Sequence, residues 1–251
     1  MRVAICIPPL ARPDAAVTLD AMNFAPRLRE NLDSVRAAIA EAARRSGRDP
    51  SAITLVAVTK KQEPALVREL FALGVSDFGE NYPQALWGKV SDLGDLAARW
   101  HLIGHLQGNK VARTVPLVRV IHSVDSLKLL RAIDSLNLAD PPQVYLQVNC
   151  SGEASKYGWS PSGVLDDAEA ISACRNVPIT GLMTIARLDS DEASTRAAFS
   201  QARELKQQLA EKTGLALPDL SMGMSNDFRE AIAEGATIVR IGSALFEGVQ
   251  E

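Results

Sequence analysis

The chain has 251 residues, of which 47% are hydrophobic, 23% charged and only 5% aromatic. Lys plus Arg number 27 against 30 Asp plus Glu, a net charge of -3 with no long basic run, so nucleic acid has little electrostatic support as a partner. The length and the aliphatic composition exclude a disordered or fibrous chain and suit one large core, a parallel sheet covered by helices on both faces.

Residues 1–22 hold Pro8, Pro9 and Pro13 and no sustained period, and read as a loosely ordered N-terminal extension to a domain spanning 23–251. The apolar stretch Val3 to Leu10 contains two of those prolines and makes a poor signal peptide. No run approaches the roughly 18–20 apolar residues that a membrane span needs. Cys6, Cys150 and Cys174 are odd in number and far apart, which argues against disulfides or a zinc cluster and points to a reducing, cytoplasmic compartment. With Pro26 in a first turn, Leu28, Leu32, Val35, Ile39 and Ala42 recur at helical spacing up to Ser46-Gly47, which predicts one amphipathic helix.

Eight short β-branched runs follow: Ile53 to Val58, Val75 to Phe78, Trp100 to Ile103, Val118 to His122, Val144 to Val148, Ile179 to Thr184, Leu220 to Met222 and Thr237 to Ile241. Between them lie helical patterns such as Pro64 to Leu73, Asp125 to Leu136, Glu192 to Lys212 and Asn226 to Glu234. This alternation predicts an α/β fold, a single (β/α)8 TIM-type barrel with an extra N-terminal amphipathic helix. An open doubly wound sheet is the alternative, but it commonly carries a Gly-rich loop after its first strand, which Thr59-Lys60-Lys61 is not.

A barrel of this kind does its chemistry at the C-terminal ends of its strands. The first run ends in Lys60, where desolvation would free an amine for a Schiff base; the alternative is a lysine reaching to solvent. Lys60 and Lys61 face opposite ways in an extended chain, and periodicity does not say which points inward. Ser225 is placed as the N-cap of the helix starting at Asn226, and Arg240-Ile241-Gly242-Ser243 forms a second donor-rich turn; loops after the seventh and eighth strands are the recurrent phosphate site of the fold. Arg240 falls on the inner face of its strand and needs an acceptor, from a ligand or from a barrel carboxylate such as Glu80. His101 and His105 are spaced by four, but on a strand end, so no metal site is expected.

Several blocks occur in order: Ala57-Val58-Thr59-Lys60, Phe78-Gly79-Glu80-Asn81-Tyr82, Trp100 to Lys110, His122-Ser123-Val124-Asp125, Gly181-Leu182-Met183, Leu220 to Ser225 and Val239 to Phe246. Together, from about 27 to 248, they closely resemble the pyridoxal phosphate homeostasis protein family. The resemblance implies a single barrel similar to the N-terminal domain of alanine racemase, with pyridoxal 5'-phosphate (PLP) bound on a lysine. Carried over residue by residue, it implies Lys60 as the Schiff-base lysine and Ser225 with Gly242-Ser243 as the phosphate cradle. Arg240 would face the pyridine nitrogen, and Asn81, His101, Asn149 and Met183 would line the pocket. Thr59 stands where the family often has Ser, and Asn226 where it often has Asp; neither change removes a cofactor group.

The resemblance implies a PLP carrier acting in homeostasis, without substantial turnover and with no catalytic residue, a monomer making transient contacts with apo PLP-dependent enzymes. Two other readings compete: a PLP enzyme such as an amino-acid racemase, and a lysine-dependent aldolase without cofactor. Only Ala244 to Glu251 follow the last strand, which leaves no expected second domain to supply a racemase's other acid/base.

Overall fold

The computed structural model describes residues 15–153, 157–187 and 190–249. Eight strands, β1 (Thr54–Val58), β2 (Asp77–Glu80), β3 (Arg99–Leu102), β4 (Val120–Val124), β5 (Gln143–Gln147), β6 (Ile179–Met183), β7 (Asp219–Ser221) and β8 (Ile238–Ile241), close in sequence order into a barrel. Every pairing is parallel, and β1 meets β8 in the register Val56 to Arg240. Each of the eight β-branched runs becomes a strand.

Helix α1 (Ala15–Arg45) precedes the barrel. The connections carry α2 (Pro64–Ala72), α3 (Pro83–Asp92), α4 (Val111–Thr114), α5 (Leu127–Asp134), α6 (Pro161–Asp166), α7 (Ala168–Ser172), α8 (Glu192–Thr213) and α9 (Phe228–Ala233), and α10 (Ser243–Phe246) follows β8. Local chemistry sets their ends: Ser126, Ser160 and Asp191 accept from backbone N–H groups at the starts of α5, α6 and α8, and α8 stops at left-handed Gly214.

Strand alternation sorts the core into two layers. Ala57, Phe78, Trp100, Leu102, Ile121, Val144, Leu146, Leu182, Leu220, Val239 and Ile241 pack outward into the layer shared with the helices. Val56, Val120, Tyr145, Met183 and Ile238 form a smaller cluster inside the barrel.

The N-terminal helix starts earlier than its pattern suggests. It begins at Ala15, and Pro26 lies within it rather than in its first turn. Ala15, Ala16, Leu19, Ala21 and Met22 are strong helix formers, and a long helix outweighs the one hydrogen bond that a proline removes. Residues 1–14 of the expected extension, with Cys6, lie outside the described residues. From Leu28 to Ala43 the apolar stripe is buried, and Asn31 donates to the carbonyls of Leu245 (3.0 Å) and Glu247 (2.9 Å), tying α1 to the end of the chain beyond β8.

Candidate functional site

Lys60 stands two residues beyond β1, exposed at the C-terminal mouth, with no hydrogen bond or ion pair among the described residues. Val56 belongs to the inner cluster and Val58 lies against Gly242 of the neighbouring strand end, and Lys60 opens the turn that follows them. Lys61, the alternative, is instead the left-handed residue of a turn, with φ of 65°. The Gln62 N–H donates to the Thr59 carbonyl (2.9 Å) and closes that turn around the two lysines. A non-glycine residue in this region costs about 1–2 kcal/mol, so the turn is held by its surroundings.

Those surroundings are buried and charged. Thr59, Glu80 and Lys89 lie beneath the turn, between the barrel wall and α3. Lys89 Nζ donates to the Thr59 carbonyl (2.5 Å) and to Glu80 Oε1 (2.6 Å), and Thr59 Oγ1 donates to the same oxygen (2.6 Å). Glu80 is therefore committed to Lys89 and is not the acceptor for Arg240. Its second oxygen, Oε2, is buried without a hydrogen-bond partner among the described residues.

Two strands away, the predicted phosphate turns come together, with one correction. Ser225 does not cap a helix from Asn226: α9 begins at Phe228, with Asp227 at its cap position. The Met224 N–H donates to Asp227 Oδ1 (2.5 Å) and the Asp227 and Phe228 N–H groups donate back to the Met224 carbonyl, so the chain makes a tight turn first. This frees the Ser225 hydroxyl to reach β8's end, where Oγ accepts from the N–H groups of Gly242 and Ala244, both at 3.3 Å. Gly223 makes the turn possible: its φ is 94°, and a Cβ there would lie 2.6 Å from the Ala231 Cβ. A Cβ on Gly242 would meet Val58 only at ordinary contact distance, so the chain's own packing does not demand that glycine. Ser243 is exposed.

Arg240 is buried inside the barrel, as its parity predicts, and its NH1 donates to Ser221 Oγ (2.6 Å) and NH2 to the Thr184 carbonyl (3.0 Å). Burial pulls the guanidinium down to about 10, against the attraction of the Asp227 carboxylate, so it stays cationic at neutral pH. From Ser221 a chain of hydrogen bonds runs through the barrel: Ser221 Oγ to His122 Nδ1 (2.6 Å), His122 Nε2 to His101 Nδ1 (2.8 Å), and His101 Nε2 to Asp77 Oδ1 (3.0 Å). Arginine can only donate, so Ser221 passes its own hydrogen to His122 Nδ1. The remaining hydrogens then fall on His122 Nε2 and His101 Nε2, and every bond points from Arg240 toward Asp77. Burial first, then the neighbouring His101 and the Arg240 cation, hold His122 well below the usual histidine range and keep it neutral. Burial pushes Asp77 up, but bonds from His101, Arg99 and Ser76 outweigh it and hold the carboxyl at about 2.

The remaining expected pocket residues spread out. Asn81 follows β2, and Gly104 passes so close that a Cβ there would lie 2.1 Å from the Asn81 carbonyl oxygen. Asn149 is half-buried beyond β5 and donates to the Glu153 carbonyl (2.7 Å), and Met183 is in the inner apolar cluster. His101 is deeper, paired with Asp77 and bordering a cavity of about 370 Å³ at the N-terminal face with Arg99, Arg119, Tyr145 and Asp219. Thus Lys60, Asn81, Ser225, Gly242 and Ser243 stand on the adjacent strand ends β7, β8, β1 and β2, with Arg240 beneath, whereas His101 lies deeper in the barrel interior, beside the cavity at its N-terminal face.

Residues 30–249 match the family model for the alanine racemase N-terminal domain. A curated pyridoxal phosphate homeostasis protein from Pseudomonas aeruginosa is 46% identical over 219 residues, 86% of this chain and 94% of that one. This chain belongs to the pyridoxal phosphate homeostasis protein family. Among solved structures, PipY of Synechococcus elongatus, determined with PLP bound, is 36% identical and superposes with a TM-score of 0.77, covering 87% of this chain and 99% of PipY. Alanine racemase from Corynebacterium glutamicum shares the barrel at 18% identity and a TM-score of 0.65; the match covers 86% of this chain but 60% of the racemase. The homeostasis family is therefore matched nearly end to end, and the racemase through its barrel.

Proposed function

We propose that this chain binds PLP at the C-terminal mouth of the barrel, holds it on Lys60, and buffers and delivers it in the cytoplasm without turning over amino acids. The observation that carries the reading is the convergence on three adjacent strands of an unpaired lysine after β1, two N–H groups and a serine hydroxyl after β8 and β7, and a buried guanidinium below them. PLP-bound PipY and the family name support it.

The donor set fits PLP. When bound, PLP supplies an aldehyde that condenses with a primary amine and a ring that can draw off electrons. Lys60 offers the amine. Ser225, Ser243 and the Gly242 and Ala244 N–H groups offer donors to a phosphate, and the 3.3 Å bonds that Ser225 now accepts are long enough to be exchanged for charge-assisted ones. Gly242, which the chain's own packing does not require, leaves the backbone open to close approach. Arg240 would set a cation toward the ring nitrogen, which would disfavour a protonated ring and weaken the electron sink that racemisation needs.

PLP-loaded protein given L-alanine, L-serine and L-lysine should release no D-isomer, pyruvate or carbon dioxide over many equivalents, and should pass PLP to an apo PLP-dependent enzyme. Sustained turnover that disappears in Lys60→Ala would make it a small PLP enzyme.

A further inference from the structure

The cluster of Thr59, Glu80 and Lys89 is built into the wall just below Lys60, and nothing in PLP recognition calls for it. Its members come from the end of β1, the end of β2 and the middle of α3, and all three are buried. Two donors converge on one carboxylate oxygen, Glu80 Oε1, while Oε2 stays without a partner among the described residues. The Thr59 hydroxyl and the Lys89 ammonium therefore meet on that one oxygen, which joins the end of β1 to α3. The Thr59 carbonyl, in turn, accepts twice, from Lys89 Nζ and from Gln62 N–H.

Successive side chains on a strand point to opposite sides. Gripping Thr59 by its hydroxyl and its carbonyl on the helix side therefore turns the next residue, Lys60, toward the mouth. The grip also holds the left-handed Lys61 in a conformation that a free turn would leave. We propose that Lys89 and Glu80 are positioning residues that act through Thr59 to present Lys60 Nζ to an aldehyde, and that they select which of the neighbouring lysines reacts. Lys89 is itself spent as a donor to two oxygens, and Lys61 is held in the turn, so Lys60 has the amine free to attack. The Lys60 Nζ lone pair adds to the aldehyde carbon, a C=N bond replaces C=O, and the oxygen leaves as water with the two amine hydrogens. This inference rests on the assignment of Lys60 made above.

The test compares condensation with non-covalent binding. Stopped-flow absorbance of PLP gives the rate of bond formation, and 4-deoxypyridoxine 5'-phosphate, which lacks the aldehyde, reports the phosphate and ring contacts alone. Thr59→Val, which keeps the shape and loses the hydroxyl, should slow condensation at least about tenfold, toward the roughly 10²-fold that a 1 Å misplacement can cost. It should change the affinity for the deoxy analogue by less than about twofold. Thr59→Ser should restore the rate, and Glu80→Gln combined with Lys89→Met should slow it as Thr59→Val does. If the double variant does not fold, the two Thr59 variants decide the matter. Unchanged condensation in Thr59→Val, or equal losses for PLP and the deoxy analogue, would overturn the positioning role. Lys60→Ala serves as the control: absorbance that persists there would remove the Lys60 assignment and the clamp with it, whereas its loss beside a normal Thr59→Val would remove the clamp alone.

Discussion

The two ends of the barrel treat charge differently. At the N-terminal face the charged groups are satisfied within the protein: Asp77 takes Arg99, His101 and Ser76, Arg119 pairs with Asp140, and Asp219 accepts from Tyr145 and Thr237. At the mouth, polar capacity is left over, in an unpaired Lys60 and a Ser225 that holds two long bonds. Both regions use the same residue types, so composition does not distinguish them. Saturated polar groups hold the barrel together, and unsaturated ones mark where a ligand completes the structure.

Replacing Lys60 with Ala breaks the mouth without touching the interior. The protein should lose all of its borohydride-sensitive visible absorbance with PLP, while its unfolding free energy in urea changes by less than about 0.5 kcal/mol, because an exposed side chain carries little packing. If Lys61→Ala loses the absorbance instead, the alternation at the end of β1 is misread. Arg240→Leu breaks the interior. It leaves the Ser221 hydroxyl and the Thr184 carbonyl buried without their donor, and should cost about 2–4 kcal/mol in urea unfolding. A stability unchanged within error would mean that the hydrogen-bonded chain contributes nothing to the fold.

Smaller effects sharpen the contrast. Ser225→Ala should weaken PLP binding by about 1–3 kcal/mol and pyridoxal, which lacks the phosphate, by clearly less; equal losses would remove the phosphate assignment. The interior should also show itself in acid. His122 is held below its ordinary value of 6.5, so the unfolded chain takes up a proton below that pH and the folded chain does not. Its contribution is therefore fully present above about pH 6.5 and is lost as the pH falls, by up to about 1.4 kcal/mol per pH unit. Asp77, depressed from 3.8 to about 2, adds a second loss between those values. Unfolding free energies measured from pH 7.5 to 5 should decline in the wild type and less in His122→Gln; parallel curves would contradict a neutral, buried His122.

Much of this is legible in the sequence. Short β-branched runs identify all eight strands, because a parallel barrel buries both faces and fills them with aliphatic side chains. Lys60 and Arg240 stand out as charges within or just after such runs. What the pattern hides is pairing across the barrel. Asp77, His101, His122 and Ser221 sit on separate strands, and only the inner-face parity of β2, β3, β4 and β7 links them. The same blindness affects Glu80, which the inner-layer argument offers to Arg240 but which lies on the outer face with Phe78, where Lys89 of α3 meets it. The start of α9 is misplaced because Ser, Asn and Asp in succession at 225–227 are all good caps, and only the Asp227 bond to the Met224 N–H decides among them.

The most direct test of the account is to load the protein with PLP, reduce it with borohydride, digest it and locate the adduct by peptide mass spectrometry. The structure and the family resemblance lead to one outcome: a single reduced adduct on Lys60. An adduct on Lys61 or Lys89, or none at all, would contradict the claim that the mouth of this barrel is built to hold PLP on that amine.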